Sequence, residues 1–316
     1  MHALEGDTAG ERSVTGPRPE LESWTELRSA AKRIDERLDG RLGMVVCDAG
    51  PDQNVESDHD VESDSSSTPL VAIRPTERFG AASLVKLPIL YALYRTYDGR
   101  LADLDRPHSI APENRVGGDG LFHLLSDPTP TTEDLATAMI SVSDNAATNE
   151  LIDHLGFDAI DEGAADLGLE GTRLGRKMMQ TPAVDPSAAA LETDRASPIE
   201  SNGHRYVNWV TPRDCATLLS DIHGGRTLSS AAYERLARPL AHQHDGSMVP
   251  RYLPPDVDIL HKTGNLPSVA ADAGLLTVGE RTVAYAICCD GLEHRGEGVD
   301  AIAELSAGVY RILEQG

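Results

Sequence analysis

Strand-like runs crowd the two ends of this chain and leave its middle to helical patterns. RLGMVVCDA (41–49) and LVAIRP (70–75) are β-rich runs near the start. DILHKTG (258–264), ADAGLLTV (271–278) and RTVAYAICCD (281–290) follow near the end, the last two joined by the tight turn Gly279-Glu280. Two short strands alone are marginal in water, and the simplest assembly joins the early and late sets in one sheet. Between them, from Ala82 to about Ile222, apolar residues recur at helical spacing. TTEDLATAMISVS, NAATNELIDHLG and TPRDCATLLSDIHGG begin with capping residues or Thr-Pro, or end on glycine. ELESWTELRSAAKRIDERL places Leu21, Trp24, Leu27, Ala31, Ile34 and Leu38 on one face, and GEGVDAIAELSAGVYRILEQ supplies a last helix.

The expected fold is therefore α/β of the α+β kind. A mostly antiparallel five-stranded sheet is drawn from both chain ends, flanked by terminal helices, with an all-helical domain inserted. The expected bounds are 20–82 with 250–316 for the α/β domain, 83–249 for the helical domain, and 1–19 for a flexible arm. PDQNVESDHDVESDSSSTP (51–69) carries acids and no Lys or Arg, and reads as a disordered solvated loop. Its spacing does not match an EF-hand, so no calcium site is assigned there.

Charge narrows the partners. With 51 acidic against 28 basic residues, the net charge of −23 repels nucleic acid and anionic membranes, and suits a protein kept soluble in strong salt. No apolar run approaches the ~18 residues of a membrane span. The opening MHALEGDTAGERSVTGPRPE lacks the basic and apolar regions of an export signal, so a cytoplasmic location is expected. Cys47, Cys215, Cys288 and Cys289 lack zinc-site spacing and read as reduced thiols. No metal or cofactor is expected, and the sequence leaves the oligomeric state open.

Lysine is the informative residue, with four copies beside 24 arginines. An amine can shed and regain its proton near neutral pH, whereas guanidinium stays charged. Lys86 stands three residues after Ser83, in GAASLVKLPIL, and a helix begun near Ala82 brings the two within hydrogen-bonding reach. Pro88 should distort that helix early. Ser143-Asp144-Asn145 lies between two helical runs, and Lys262-Thr263-Gly264 on the first late strand. Each motif alone has a plain reading: a surface Ser and Lys, a helix-capping cluster, a strand end with a turn glycine. All three in this order arise by chance on the order of once in a thousand sequences.

This set, with LATAMISVSDNAATNELIDHLG and HKTGNLPSVAADAGLL around it, resembles the class A β-lactamase-related serine hydrolases over roughly residues 20–315. The resemblance implies an α/β domain, a helical domain and a site between them. It implies that Ser83 is the nucleophile that becomes acylated, and that Lys86 takes or relays its proton. Ser143 would pass a proton to the leaving nitrogen, Asn145 would position Lys86 and the substrate amide, and Lys262 and Thr263 would hold a substrate carboxylate. Gly264 would leave room beside the strand, and the Ser83 and Asn265 N–H groups would form the oxyanion hole. The implied partner is a small β-lactam or similar amide or ester.

One family feature is absent. The glutamate that activates the deacylating water falls about 36 residues after the Ser-Asp-Asn serine, in an E-x-x-L-N context. That count lands on Met179, and no E-x-x-L-N occurs in the chain. Glu192, Asp194 and Glu200 follow, and His204 is a further candidate base, while strand alternation turns His261 away. Lys177 and Arg176 either brace this stretch or are plain surface charges. A hydrolase with slow deacylation is the leading expectation. A D-alanyl-peptidase or esterase with another substrate, and a trap or sensor that acylates without turnover, are the alternatives.

Overall fold

The computed structural model describes residues 21–50, 68–179, 195 and 197–315. The expected arm, nearly all of the acidic loop, Glu192 and Asp194 lie outside the described residues. Strands β1 (Arg41–Asp48), β2 (Val71–Ile73), β7 (Asp258–Leu266), β8 (Val269–Val278) and β9 (Arg281–Asp290) form one sheet in the order β2-β1-β9-β8-β7. All four pairings are antiparallel, so both chain ends do meet in one sheet. Val278 pairs with Arg281 across the Gly279-Glu280 turn, where Gly279 takes φ +61°.

Alternation along these strands divides the interior in two. Ala271, Ala273, Leu275, Ala284, Ala286 and Cys288 face the core shared with the middle of the chain. Ala270, Leu276, Val283, Tyr285, Ile287 and Cys289 face the opposite core, under α1 (Trp24–Asp35) and α8 (Arg295–Gln315). The neighbours Cys288 and Cys289 thus enter different cores, and all four cysteines are free thiols.

In the middle, α2 (Lys86–Tyr97) is buried from Lys86 to Tyr94. Around it pack α3 (Thr132–Ser141), α4 (Asn145–Leu155), α5 (Phe157–Asp166) and α7 (Ser230–Ala241). A helix so enclosed needs apolar residues on every side, which is what KLPILYALYRTY supplies. Thr131 and Asp134 form a reciprocal capping box that starts α3. Helix α6 (Pro212–His223) lies against β1, β8 and β9.

The stretch 83–249 is not helical throughout, contrary to expectation. It holds β4 (Ile199–Ser201), β5 (His204–Tyr206) and β6 (Trp209–Val210), the last paired with β3 (Phe79–Gly80). The β4–β5 turn is Asn202-Gly203 with φ of +48° and +79°, a hairpin signal carried by the residues themselves.

Asp290 ties these pieces to the sheet. Fully buried at the end of β9, its carboxylate accepts from Arg41 Nε at 2.7 Å, Gly80 N at 2.9 Å and Ser201 Oγ at 2.8 Å. Removing it strands the buried Gly80 N–H and takes from Arg41 one of its two carboxylates, leaving Glu77 at 3.0 Å. Asp290→Ala is expected to cost about 3 kcal/mol in urea denaturation, against about 1 kcal/mol for Ser201→Ala.

Candidate active site

Ser83 is placed by a sharp change of chain direction. The chain leaves strand β3 at Gly80 and passes through Ala82, at φ +43°, into a 3₁₀ turn over Ala82–Val85, and α2 takes over at Lys86. Pro88 is then the third residue of α2, where a missing N–H costs no intrahelical bond, so the change from 3₁₀ to α precedes it. Strand β7 crosses directly beside this turn. A Cβ on Gly264 would lie 3.1 Å from Ala81 O and 3.3 Å from Ser83 N, closer than ordinary contact. Glycine therefore lets the strand lie against the Ser83 N–H, as an oxyanion site on that N–H requires.

Lys86 is fully buried, and its amine donates to Ser143 O at 2.7 Å, Ser143 Oγ at 3.1 Å and Asn145 Oδ1 at 3.0 Å. The expected direct contact with Ser83 is replaced by a relay, in which Ser143 Oγ sits 2.7 Å from Ser83 Oγ. Burial first, and the Lys262 charge second, push the Lys86 amine well below its usual range, against weaker support from Asp119 and Asp144. Lys262 is buried as well and donates to Thr263 O at 2.9 Å. Burial lowers it to about 8, opposed by Asp272, Asp245 and Asp119. Both amines thus give up their charge more easily than an ordinary lysine.

The Ser-Asp-Asn turn is held from two sides. Asp144 caps α4 through Ala147 N at 2.9 Å, while its other oxygen accepts from Phe122 N at 2.8 Å and from Leu121 N. Asn145 Nδ2 donates to Gly117 O at 3.3 Å and its N–H to Asp119 O at 3.2 Å. The loop so engaged, Val116-Gly117-Gly118-Asp119-Gly120, escaped the sequence reading, although three glycines in four positions mark a tight approach.

The stretch around Met179 is fixed rather than loose. Asn149 reads Met178 at both backbone groups, accepting from its N–H at 2.7 Å and donating to its carbonyl at 3.1 Å. Asn208 does the same for Arg176, at 2.9 and 3.0 Å. Lys177 pairs with Asp153 and donates to Asn114 Oδ1 at 3.1 Å, so it braces the stretch. Met179 itself is 60% exposed at φ +52° and lines the cleft. Glu200 and His204 sit on the β4–β5 hairpin and line neither lobe described below. His261 lies on the far face of β7, its Nδ1 3.1 Å from Asp272 Oδ1.

The cleft has two lobes that meet at Asp119 and Asn265. One, of about 490 Å³, is lined by Ser143, His244, Asp245 and Thr263; the other, of about 310 Å³, by Ser83, Asn145, Met179 and Leu266. Asn265 Nδ2 donates to Asp245 Oδ2 at 2.9 Å. Among the described residues no cluster of three or more His, Cys, Asp or Glu is placed to hold a metal ion, and no helix is long and apolar enough to cross a membrane. The loop geometry is testable through Gly120, at φ +101°, whose Cβ would fall 2.3 Å from Asp144 Cγ. Gly120→Ala is expected to lower stability by at least about 2 kcal/mol in thermal melting.

Known proteins resemble this chain in sequence and in fold. A β-lactamase from Rhodobacter capsulatus is 28% identical over 183 residues, covering 54% of this chain and 53% of the relative. The chain thus spans about half the length of the curated relatives it matches. The crystal structure of a β-lactamase from Sphaerobacter thermophilus superposes with a TM-score of 0.75 at 26% identity, over 93% of this chain and 99% of that one. PBP-A, solved as a mutant in an acyl-enzyme complex with penicillin G, gives a TM-score of 0.72 at 22% identity, over 94% and 100%. The model of the β-lactamase enzyme family matches residues 27–313, and the chain belongs to that family.

Proposed function

We propose that the chain is a β-lactamase-type serine hydrolase that opens a β-lactam, or a related amide or ester, through an acyl-Ser83 intermediate. The observation that carries this reading is the unbroken line Ser83 Oγ, Ser143 Oγ and Lys86 Nζ, with spacings of 2.7 and 3.1 Å. With Lys86 neutral, Ser83 attacks the carbonyl carbon and gives its proton to Ser143, as Ser143 gives its own to Lys86. The carbonyl oxygen, now anionic, rests beside the Ser83 N–H and Gly264. Collapse breaks the C–N bond, and the proton returns from Lys86 through Ser143 to the leaving nitrogen. Lys262, charged, and Thr263 hold a carboxylate on the leaving-group side.

Deacylation is proposed to be slow, because the position expected for the activating glutamate is Met179, and a thioether takes no proton from water. That same observation favours the second reading, a trap that acylates and stalls.

A time course with a chromogenic cephalosporin in high salt, followed by intact mass, tests both. The expected result is an adduct on Ser83 with turnover slower than acylation, and neither in Ser83→Ala. Absence of adduct and turnover in the wild type would sink the reading, and a permanent single-equivalent adduct would select the trap. Lys86→Arg keeps a cation but cannot accept a proton, so its acylation rate is expected to fall at least ~100-fold. The pH profile of kcat/KM should rise as Lys86 deprotonates and fall as Lys262 loses its charge near pH 8. Lys262→Arg should carry the falling limb upward by more than one pH unit; an unmoved limb would remove Lys262 from substrate binding.

A further inference from the structure

Asp119 stands out among the side chains of the cleft. The glycines beside it, at φ +95° and +101°, have no room for a side chain. A Cβ on Gly118 would lie 2.7 Å from Asn145 Nδ2, and one on Gly120 2.4 Å from Asp144 Cα. The backbone therefore lies flat on the Ser-Asp-Asn turn, and Asp119 is the one side chain this Gly-Asp-Gly loop presents. It lines both lobes of the cleft. The other cleft carboxylate, Asp245, accepts from Ser247 N, Ser247 Oγ and Asn265 Nδ2. The Asp119 carboxylate is exposed, and its backbone oxygen, not its side chain, makes the loop's bond to Asn145. It is also close enough to both buried lysines to favour their charged forms.

The direction a substrate must take decides what this carboxylate meets. The leaving group faces Ser143, which returns the proton, and Thr263, both in the larger lobe. The acyl group runs from Ser83 past Asn145 into the smaller lobe. The first atoms beyond the acyl carbonyl therefore cross the boundary that Asp119 lines. A carboxylate there repels an anionic substituent and pairs with an ammonium. The cations of the smaller lobe, Arg176, Lys177 and Arg205, belong to the 176–179 and 205–208 walls, and Lys177 is engaged by Asp153 and Asn114.

Resting on the acyl-Ser83 reading, we propose that Asp119 recognises a cationic amine on the carbon next to the scissile carbonyl. The preferred substrates are then amides or esters whose acyl group carries a free α-ammonium. A fully exposed ion pair would give a preference of only a few-fold, whereas a charged hydrogen bond enclosed in the cleft gives about tenfold.

The test compares ampicillin with benzylpenicillin, which differ by that amine, with acylation of Ser83 followed by intact mass so that deacylation does not enter. The wild type is expected to acylate about tenfold faster with the amine. Asp119→Asn should bring the ratio to near one, and Asp119→Arg should tip preference toward carbenicillin, which carries a carboxylate there. A wild-type ratio near one overturns the proposal, as does a ratio that survives both substitutions. So does an unchanged ratio in Asp119→Asn with longer-lived adducts, which would mark Asp119 as a deacylation base. Independently of chemistry, Ser83→Ala protein should bind D-phenylglycinamide about tenfold tighter than its N-acetyl form in calorimetry, and the added Asp119→Asn should erase the difference. Equal affinities overturn the proposal, while a missing Ser83 adduct refutes only the acyl-transfer reading and leaves this binding comparison decisive.

Discussion

An amine buried without a carboxylate partner is the constraint around which this molecule is arranged. Lys86 is held by three neutral oxygens, two from Ser143 and one from Asn145, and a second buried amine, Lys262, acts on it from the sheet side. Neutral acceptors satisfy the donors without stabilising the charge as a carboxylate would, so the free base becomes accessible. Bringing those oxygens inward requires the turn before α4 to take an uncommon shape, with Ser143 at φ +57°. Of the five non-glycine residues at positive φ among the described residues, three line the cleft: Ala82, Ser143 and Met179. Such backbone costs of order 1–3 kcal/mol each and persists only where its surroundings hold it. Here the surroundings are Asp144 with its backbone donors, the Gly118–Gly120 loop, and the Asn149 clamp.

The sheet supplies the rigid side of the site. Strand β7 is an edge strand, so one side of its backbone is left unpaired within the sheet, and the Lys262-Thr263-Gly264-Asn265 run lies along that edge. An edge is normally a liability; at this one Gly264 packs on the Ser83 turn. The strand's other face is fixed by a buried polar group, in which Asp272 accepts from Tyr285 OH at 3.0 Å and from Val249 N at 3.3 Å, beside His261. Lys262 thus reaches the proposed catalytic side from a strand anchored on both faces.

Sequence periodicity conveyed the fold where side chains alternate or repeat over many residues. Alternation in β1, β8 and β9 and the apolar stripe of α1 are properties of whole elements, so single substitutions do not blur them. The β3–β6 and β4–β5 pairs span two or three residues, too short for a period, and only Asn202-Gly203 announced one of them. In the site, residue type was the signal: a lysine kept among arginines, and serines and glycines at fixed offsets. What escaped was contact made across long separations. The Ser143 relay, the Asn149 and Asn208 clamps and the Lys177 brace join residues 24 to 63 positions apart, or rest on backbone angles that no motif states. Asp290 escaped for the same reason, since its partners Arg41, Gly80 and Ser201 are distributed over the chain.

The fixed shape of the 175–179 stretch bears on the hydrolysis proposed for this site. Asn149 holds two backbone groups of it and Asn208 three, and such hydrogen bonds contribute about 1 kcal/mol apiece. The wall is therefore built, and it offers a thioether where a base would stand. On the proposed chemistry the remaining route for water is the reverse of acylation: Lys86, through Ser143, takes a proton from a water standing where the leaving group stood. A linear amide or ester releases its leaving group and opens that position. A ring-opened β-lactam keeps its amine tethered to the acyl group, beside Ser143, and blocks it. On that proposal the same relay is expected to clear linear substrates readily and β-lactams slowly, because only the first leave the position of the attacking water open.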